Sequence, residues 1–419
     1  MVEIWLPYGK TEVHVTVPLR NLMGTLEPIK KEPAVSNRET VRDSLLNPVN
    51  SESFLDLVRT GDNVAVGIDG TINPRTCVSS LNAMLEICRN EEVSFEKITL
   101  HIGSGMKENS SSDLINYLRS SDALKNIQIK EHMRRTSDLV DLGTTSNGTE
   151  VAVNREFYES EYKVALGEVL IDYHSGLRGV QSTILPAFTG YKTLEQNRRL
   201  AFKETVTPGI IKENTTHSDS MEAAEMVGLN LAVNLVSDAR YDLVSAYSGT
   251  LKDSWAQATA NFTDSYRMQA ESNADVIIVS AGGSKYDFDL YNAIWALGSI
   301  RDVAHRNTAI ILIADCRDGL GANGLSNLAR IDRLSELRRR YMLGAKAVYL
   351  IKSIIRNNDI YLVSTLPKYV VDPLGLKIQR TANDALKKVY DSRRMKRTLV
   401  LTHGNTSVPY VLSEGNSQE

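Results

Sequence analysis

The sequence has little with which to hold a metal, cross a membrane or staple itself shut. Only three cysteines occur in 419 residues, Cys77, Cys88 and Cys316. They are odd in number, scattered and without a C-x-x-C. This excludes a disulfide framework and a cysteine-built zinc site, and it fits a reducing cytoplasm. Of the seven histidines, none forms a metal-type pair at helical spacing. No apolar run reaches the roughly 18 residues of a membrane span, and the opening residues have no signal-peptide pattern. The expectation is a cytoplasmic chain that meets no membrane. Neither sign of charge is in excess: the net charge of −3 gives no general attraction to nucleic acid. The basic runs Arg338–Arg340 and Arg393–Arg397 fall in helical patterns and read as solvated faces. P-loop, dinucleotide fingerprint and serine nucleophile elbow are all absent.

What is present is alternation. Val2–Leu6 and Glu12–Val17 read as a hairpin around Tyr8-Gly9-Lys10. Strands at Asn63–Ile68, Ile98–Ile102 and Ile127–Lys130 are interleaved with helices at Cys77–Cys88 and Ser112–Leu118. Ser218–Leu235 reads as one long helix and Leu243–Ser248 as a strand. A second alternating run starts at Ala274–Ser280 and includes Leu290–Ala304, Leu325–Met342 and, as a strand, Ala347–Ile351. Strands alternating with helices predict an α/β chain with mainly parallel sheets. At this length two domains are expected, 1–270 and 271–419, split near Glu271, with a cleft between them.

Four loops follow predicted strands: Asp69–Arg75, Gly103–Lys107, Gly282–Asp287 and Asp315–Gly321. Loops at strand ends are where open α/β proteins place ligands. The stretch Glu161–Arg198 is the richest. A buried strand ends there in a glycine-spaced loop with Asp172, His174, Arg178 and Gln181. Among the histidines only His174 lies in a loop beside other polar groups.

Several motifs in order carry a resemblance. Leu142-Gly143-Thr144-Thr145-Ser146-Asn147-Gly148-Thr149 is similar to an "lGtTsxGt" signature, Ile184-Leu185-Pro186 to "ilPG", Asp287–Tyr291 to "DxnlYQ" and Asp315–Gly321 to "eCxxGxG". Together with the opening hairpin they make the chain resemble the lactate racemase family, whose best-known members racemise 2-hydroxy acids with a nickel pincer nucleotide. The resemblance implies that family's fold. It also implies a covalent anchor for the nucleotide at the lysine of "GGxK", where this chain has Ser182, and a nickel-coordinating histidine where it has Arg198. Of the two proton-exchanging histidines, one falls in the Gly105-Met106-Lys107-Glu108 stretch and the other at Asp172. The arginine of "DxTRP" is Ile72 unless a longer loop brings in Arg75, and the "QxxK" pair becomes Asn292 and Trp295. A hydroxyl forms no thioamide link and a guanidinium has no lone pair for a metal. The nickel pincer nucleotide is therefore not supported, and no other cofactor is indicated.

Three readings stay open. One is an enzyme on this fold acting on a small hydroxy acid or similar anion by other machinery. In it Asp172 and His174 form the acid–base pair, Lys107 is a second proton carrier, and Asp69, Thr71, Arg178, Ser182, Arg198, Asn292 and Trp295 bind the substrate. The second is a non-catalytic protein that holds a nucleotide or organic anion. The third is a family racemase with a noncovalent cofactor. The expected partner throughout is a small anionic metabolite, with room for a homodimer.

Overall fold

The computed structural model describes residues 1–28, 36–104, 111–203, 206–238, 242–260, 262, 266–271, 273–322, 324–339 and 341–411. Contacts divide the chain into a terminal unit, Met1–Ile29 with Ser265–Glu419, and a central unit, Lys30–Asp264. The sequence reading placed 1–270 together. The difference lies at the chain's start, whose strands belong with the C-terminal half.

In the terminal unit, β1 (Val2–Tyr8) and β2 (Thr11–Val17) form the expected antiparallel hairpin. β3 (Leu22–Leu26) pairs in parallel with a strand almost four hundred residues later (Thr402 bonds Leu26 across 376 positions). That pairing is invisible to local periodicity.

The central unit supplies β4 (Val64–Asp69), β5 (Ile98–Gly103), β6 (Gln128–Glu131), β7 (Leu139–Thr144), β8 (Glu150–Asn154), β9 (Tyr162–Asp172), β10 (Gly176–Arg178), β11 (Leu231–Ser237) and β12 (Leu243–Gly249). Its main sheet has the order β12-β11-β9-β4-β5-β6, with β10 added to β9 and with β7 and β8 as a separate ribbon. The pairings β11·β9, β9·β4, β4·β5 and β5·β6 are parallel. β4 and β5 are buried at every position, as parallel strands covered on both faces must be. The helix Pro74–Asn90 starts with proline at its first turn and an Asn73 cap, and it lays Cys77, Leu81, Met84 and Cys88 into the core beside β4 and β5.

The terminal unit resumes with β13 (Arg267–Gln269), β14 (Ala274–Ser280), β15 (Ala304–Ile313), β16 (Asp359–Val363), β17 (Lys377–Gln379), β18 (Thr398–Leu401) and β19 (Val408–Tyr410). Its main sheet, β17-β16-β15-β14-β18-β3, is parallel throughout. No helix among the described residues is long and apolar enough to cross a membrane.

Four of these segments differ from the sequence reading. The helix expected over Ser218–Leu235 is Thr215–Val227, stopped by Gly228 in the left-handed region (φ 71), and Leu231–Ser237 is the fully buried strand β11. The strand expected over Ala347–Ile351 is the helix Ala345–Ile354, since a short apolar run fits either element. The helices expected over Leu290–Ala304 and Leu325–Met342 are each broken into shorter pieces.

Two of the quoted motifs meet the opening hairpin at one carboxylate. Asp287 Oδ2 accepts the N–H of Gly9 at 2.7 Å and that of Asp315 at 3.2 Å. In the terminal unit these motifs are clamps that fix loops to strand ends.

Candidate functional site

In the central unit β9 outruns its neighbours. Its pairing with β4 ends at Leu166 and that with β11 at Val169, so among the described residues Leu170–Asp172 pair only with β10 as the chain turns back. The turn needs Gly176, which has φ +77 and no room for a side chain: a Cβ there would lie 2.0 Å from the Ile210 carbonyl oxygen. Asp172 organises it. Its Oδ1 accepts the N–H of His174 at 2.8 Å and of Ser175 at 2.7 Å, and the Ser175 hydroxyl at 2.9 Å. Ser175 Oγ also lies 3.0 Å from the Leu177 carbonyl, which accepts from Gln181 Nε2 at 3.3 Å.

Burial alone would push the Asp172 carboxyl up. Arg198, His174 and the N–H groups of Ser175 and His174 outweigh it and hold the group well below the ordinary carboxylate range. The expected pair Asp172 and His174 is therefore brought together, but with His174 Nδ1 3.9 Å from Oδ1, beyond a hydrogen bond. A carboxylate held ionised donates no proton near neutral pH. What Asp172 can do is shape the turn and balance a cation.

That cation is Arg198, in the last turn of the helix Tyr191–Leu200 and only 4% exposed. Its Nη1 donates to Asn197 Oδ1 at 2.7 Å, and its Nε has no hydrogen-bond partner among the described residues. Asn197 is held in turn by Asp219, whose Oδ2 accepts from Asn197 Nδ2 at 2.8 Å and from the Thr149 hydroxyl at 2.8 Å. Thr145 donates to Asp219 Oδ1. The Leu142–Thr149 signature thus wraps a buried carboxylate.

His217, which the sequence reading passed over, belongs with this group. It is buried in the first turn of the helix Thr215–Val227, with its ring 5.2 Å from that of Trp255. Burial pushes its pKa down to about 4, against the pull of Asp172, and its Nδ1 has no partner among the described residues. Its one sequence signal, three residues after the capping Asn214, says nothing about which way it faces.

The other expected residues divide. Ser182 is buried in the short helix Val180–Ile184, beside the wholly buried Gln181, whose Oε1 has no partner among the described residues. Arg178 Nη1 donates to Thr71 Oγ1 at 3.2 Å, and Thr71 donates to Asp69 Oδ1 at 2.8 Å, which ties the loop after β4 to β10. Ile72 is core at 3% exposure, and Arg75 is exposed at the helix start. Asn292 and Trp295 lie in the terminal unit. Asn292 caps on Asp289 through N and Nδ2, both at 2.8 Å, and Trp295 packs edge-on against Tyr291. Lys107 lies outside the described residues. An open hollow of about 420 Å³ in the terminal unit, lined by Ile4, Trp5, Glu12, Glu27, Thr402 and His403 among others, borders none of the expected residues.

The comparisons with known proteins fit this framework. Residues 8–208 match the model of the lactate racemase N-terminal domain and residues 269–408 that of the lactate racemase C-terminal domain. Lactate racemase of Lactiplantibacillus plantarum is 23% identical over 410 residues, covering 93% of this chain and 95% of that protein. That of Thermoanaerobacterium thermosaccharolyticum is 23% identical over 77% of each. The structure of the T. thermosaccharolyticum lactate racemase apoprotein superposes with a TM-score of 0.85 at 19% identity, over 97% of this chain and 100% of the other. A Thermotoga maritima structure superposes with a TM-score of 0.68 at 12% identity, over 92% and 100%. Fold, motif order and both domain models agree: the chain belongs to the lactate racemase family.

Proposed function

We propose that the central unit binds a small organic anion, a 2-hydroxy acid or a molecule of similar size and charge, with Arg198 as the anchor, and that it does so without nickel-pincer hydride chemistry. The observation that carries this reading is the buried guanidinium whose Nε finds no acceptor among the described residues. Leaving a charged donor buried and unbonded is costly, and an anionic oxygen from a ligand removes that cost. Gln181 Oε1 and His217 Nδ1 are further buried atoms with no partner among the described residues. A donor for a carboxylate and an acceptor for a neighbouring hydroxyl suit a hydroxy acid.

The family's nucleotide does not fit the donors present. Ser182 offers a hydroxyl where a covalent lysine would be needed, and Arg198 has no lone pair. Among the described residues no group of three or more His, Cys, Asp or Glu side chains stands where it could hold a metal ion.

Calorimetric titration of wild type and Arg198→Ala with D- and L-lactate, glycolate and phosphate tests the binding half. Wild type should bind at least one of the hydroxy acids, and the variant should bind it at least tenfold more weakly, the scale of one lost charge-assisted hydrogen bond. Equal binding by both, or none by wild type, overturns it. Protein made alongside the family's cofactor-maturation machinery should keep its unmodified intact mass and carry no stoichiometric nickel. A nucleotide-sized adduct overturns the second half.

A further inference from the structure

We infer that Asp219 is a positioning residue for Arg198, acting through the side-chain amide of Asn197; this rests on the reading of Arg198 as the anion anchor. Asp219 is wholly buried and takes its donors from three places: the Thr145 hydroxyl, the Thr149 hydroxyl and Asn197 Nδ2. A carboxylate offers acceptors only, so the amide edge that faces it must be the NH2. The other neighbours of that edge agree, since the Thr216 carbonyl and Ser220 Oγ both lie 3.3 Å from Nδ2. With Nδ2 committed, Oδ1 is on the opposite edge, where Arg198 Nη1 meets it at 2.7 Å.

Turning the amide over would set its NH2 against a guanidinium and its oxygen against a carboxylate. Both contacts would change from attraction to repulsion. One orientation is therefore enforced, and with it one position for the guanidinium. The buried side chain is pinned by Nη1, leaving Nε for a ligand. The turn between β7 and β8 is shaped to the same end. Thr145 N donates to the Thr149 carbonyl at 2.9 Å and Thr149 N to Thr145 Oγ1 at 3.0 Å, which brings both hydroxyls to Asp219. The Leu142–Thr149 motif thereby gains a task in the site although its residues lie two side chains away from the anchor.

The test uses the full chain with 15N-labelled arginine. The Nε–H resonance of Arg198 is identified by its loss in Arg198→Lys, and affinity is read by calorimetry with sodium L-lactate, sodium D-lactate and inorganic phosphate. In wild type the resonance should be single and sharp. In Asp219→Asn the new amide offers an NH2 that competes with that of Asn197, so the resonance should split or broaden and affinity should fall about tenfold. In an Arg198→Ala background Asp219→Asn should change affinity no further, which a role confined to general stability would not produce. If Asp219→Asn fails to fold, Asn197→Ala removes the link directly and should give the same two changes. An Arg198 resonance and an affinity untouched by either substitution overturn the inference. A wild type that binds none of the three probes overturns the anchor reading instead, and the resonance still decides whether Asp219 positions Arg198.

Discussion

Two aspartates near the C-terminal ends of parallel strands answer burial in opposite ways. Asp172, in the central unit, is held well below the usual carboxylate range because Arg198, His174 and two backbone N–H groups outweigh desolvation. Asp287, in the terminal unit, is pushed up by burial and by neighbouring Asp315, against the pull of the Gly9 and Asp315 N–H groups. Both sit in the same architecture and both order a turn. Both take backbone donors; the difference is a buried cation beside Asp172, against a second carboxyl and only the exposed Arg317 near Asp287. A strand-end carboxylate becomes part of a charge-bearing site only when a buried cation is set beside it. Otherwise it is a loop clamp.

The largest test of that contrast is steric. Gly176→Ala drives a Cβ into the Ile210 backbone oxygen at 2.0 Å, whereas Gly9→Ala meets the Asp315 side chain, its carboxylate oxygen nearest at 2.7 Å. Both glycines have positive φ, so left-handed strain is common to the two; with the backbone clash added, Gly176→Ala should cost about 3 kcal/mol of unfolding free energy and Gly9→Ala clearly less. Urea unfolding of the two variants measures this; equal costs would remove the distinction. Next, Arg198→Ala leaves Asp172 without its cation and should cost about 2 kcal/mol at pH 7 in the same measurement. No loss would mean that the guanidinium is not the counter-charge.

The third test is pH. Asp172 has a lowered folded pKa, so its contribution is present above the unfolded value of about 3.9 and is lost as pH falls through the folded one. Asp287 has a raised folded pKa, so its contribution is fully present below about 3.9 and is lost as pH rises through the folded value. Asp172→Asn should therefore flatten the acid limb of a stability–pH curve, and Asp287→Asn should steepen it. Shifts in the same direction would break the comparison. The smallest effect belongs to Ser182→Ala. No described hydrogen bond of the Ser182 side chain is lost, and the change should stay within about 0.5 kcal/mol in thermal unfolding. A larger loss would give that hydroxyl a structural role.

Much of the frame was legible because buried parallel strands announce themselves as apolar runs, as at Val64–Ile68 and Ala274–Ser280, and because the motifs stand in family order. The rest depends on partners distant in sequence. β3 has no local pattern that predicts pairing with β18. Ala347–Ile351 is apolar enough for either element. Asp172 and His174 could be picked out by residue type and loop, but not that one Asp172 oxygen is committed to the turn and that the group stays charged. His217 precedes the helix expected from Ser218 and carries no motif. Its place near Asp172 is set by helix packing that periodicity does not encode.

The pairing of β3 with β18 also orders events in time. A ribosome making this chain emits Leu26 and then, 376 residues later, Thr402, which follows the partner strand Thr398–Leu401. The central unit can fold on itself meanwhile. β3 must then wait, unpaired along an edge, until Thr398–Leu401 has been made. Stalled nascent chains of increasing length should show protease protection of the central unit first, with Leu22–Leu26 cleavable until Leu401 has cleared the exit tunnel. Early protection of that segment would mean that it finds a temporary partner.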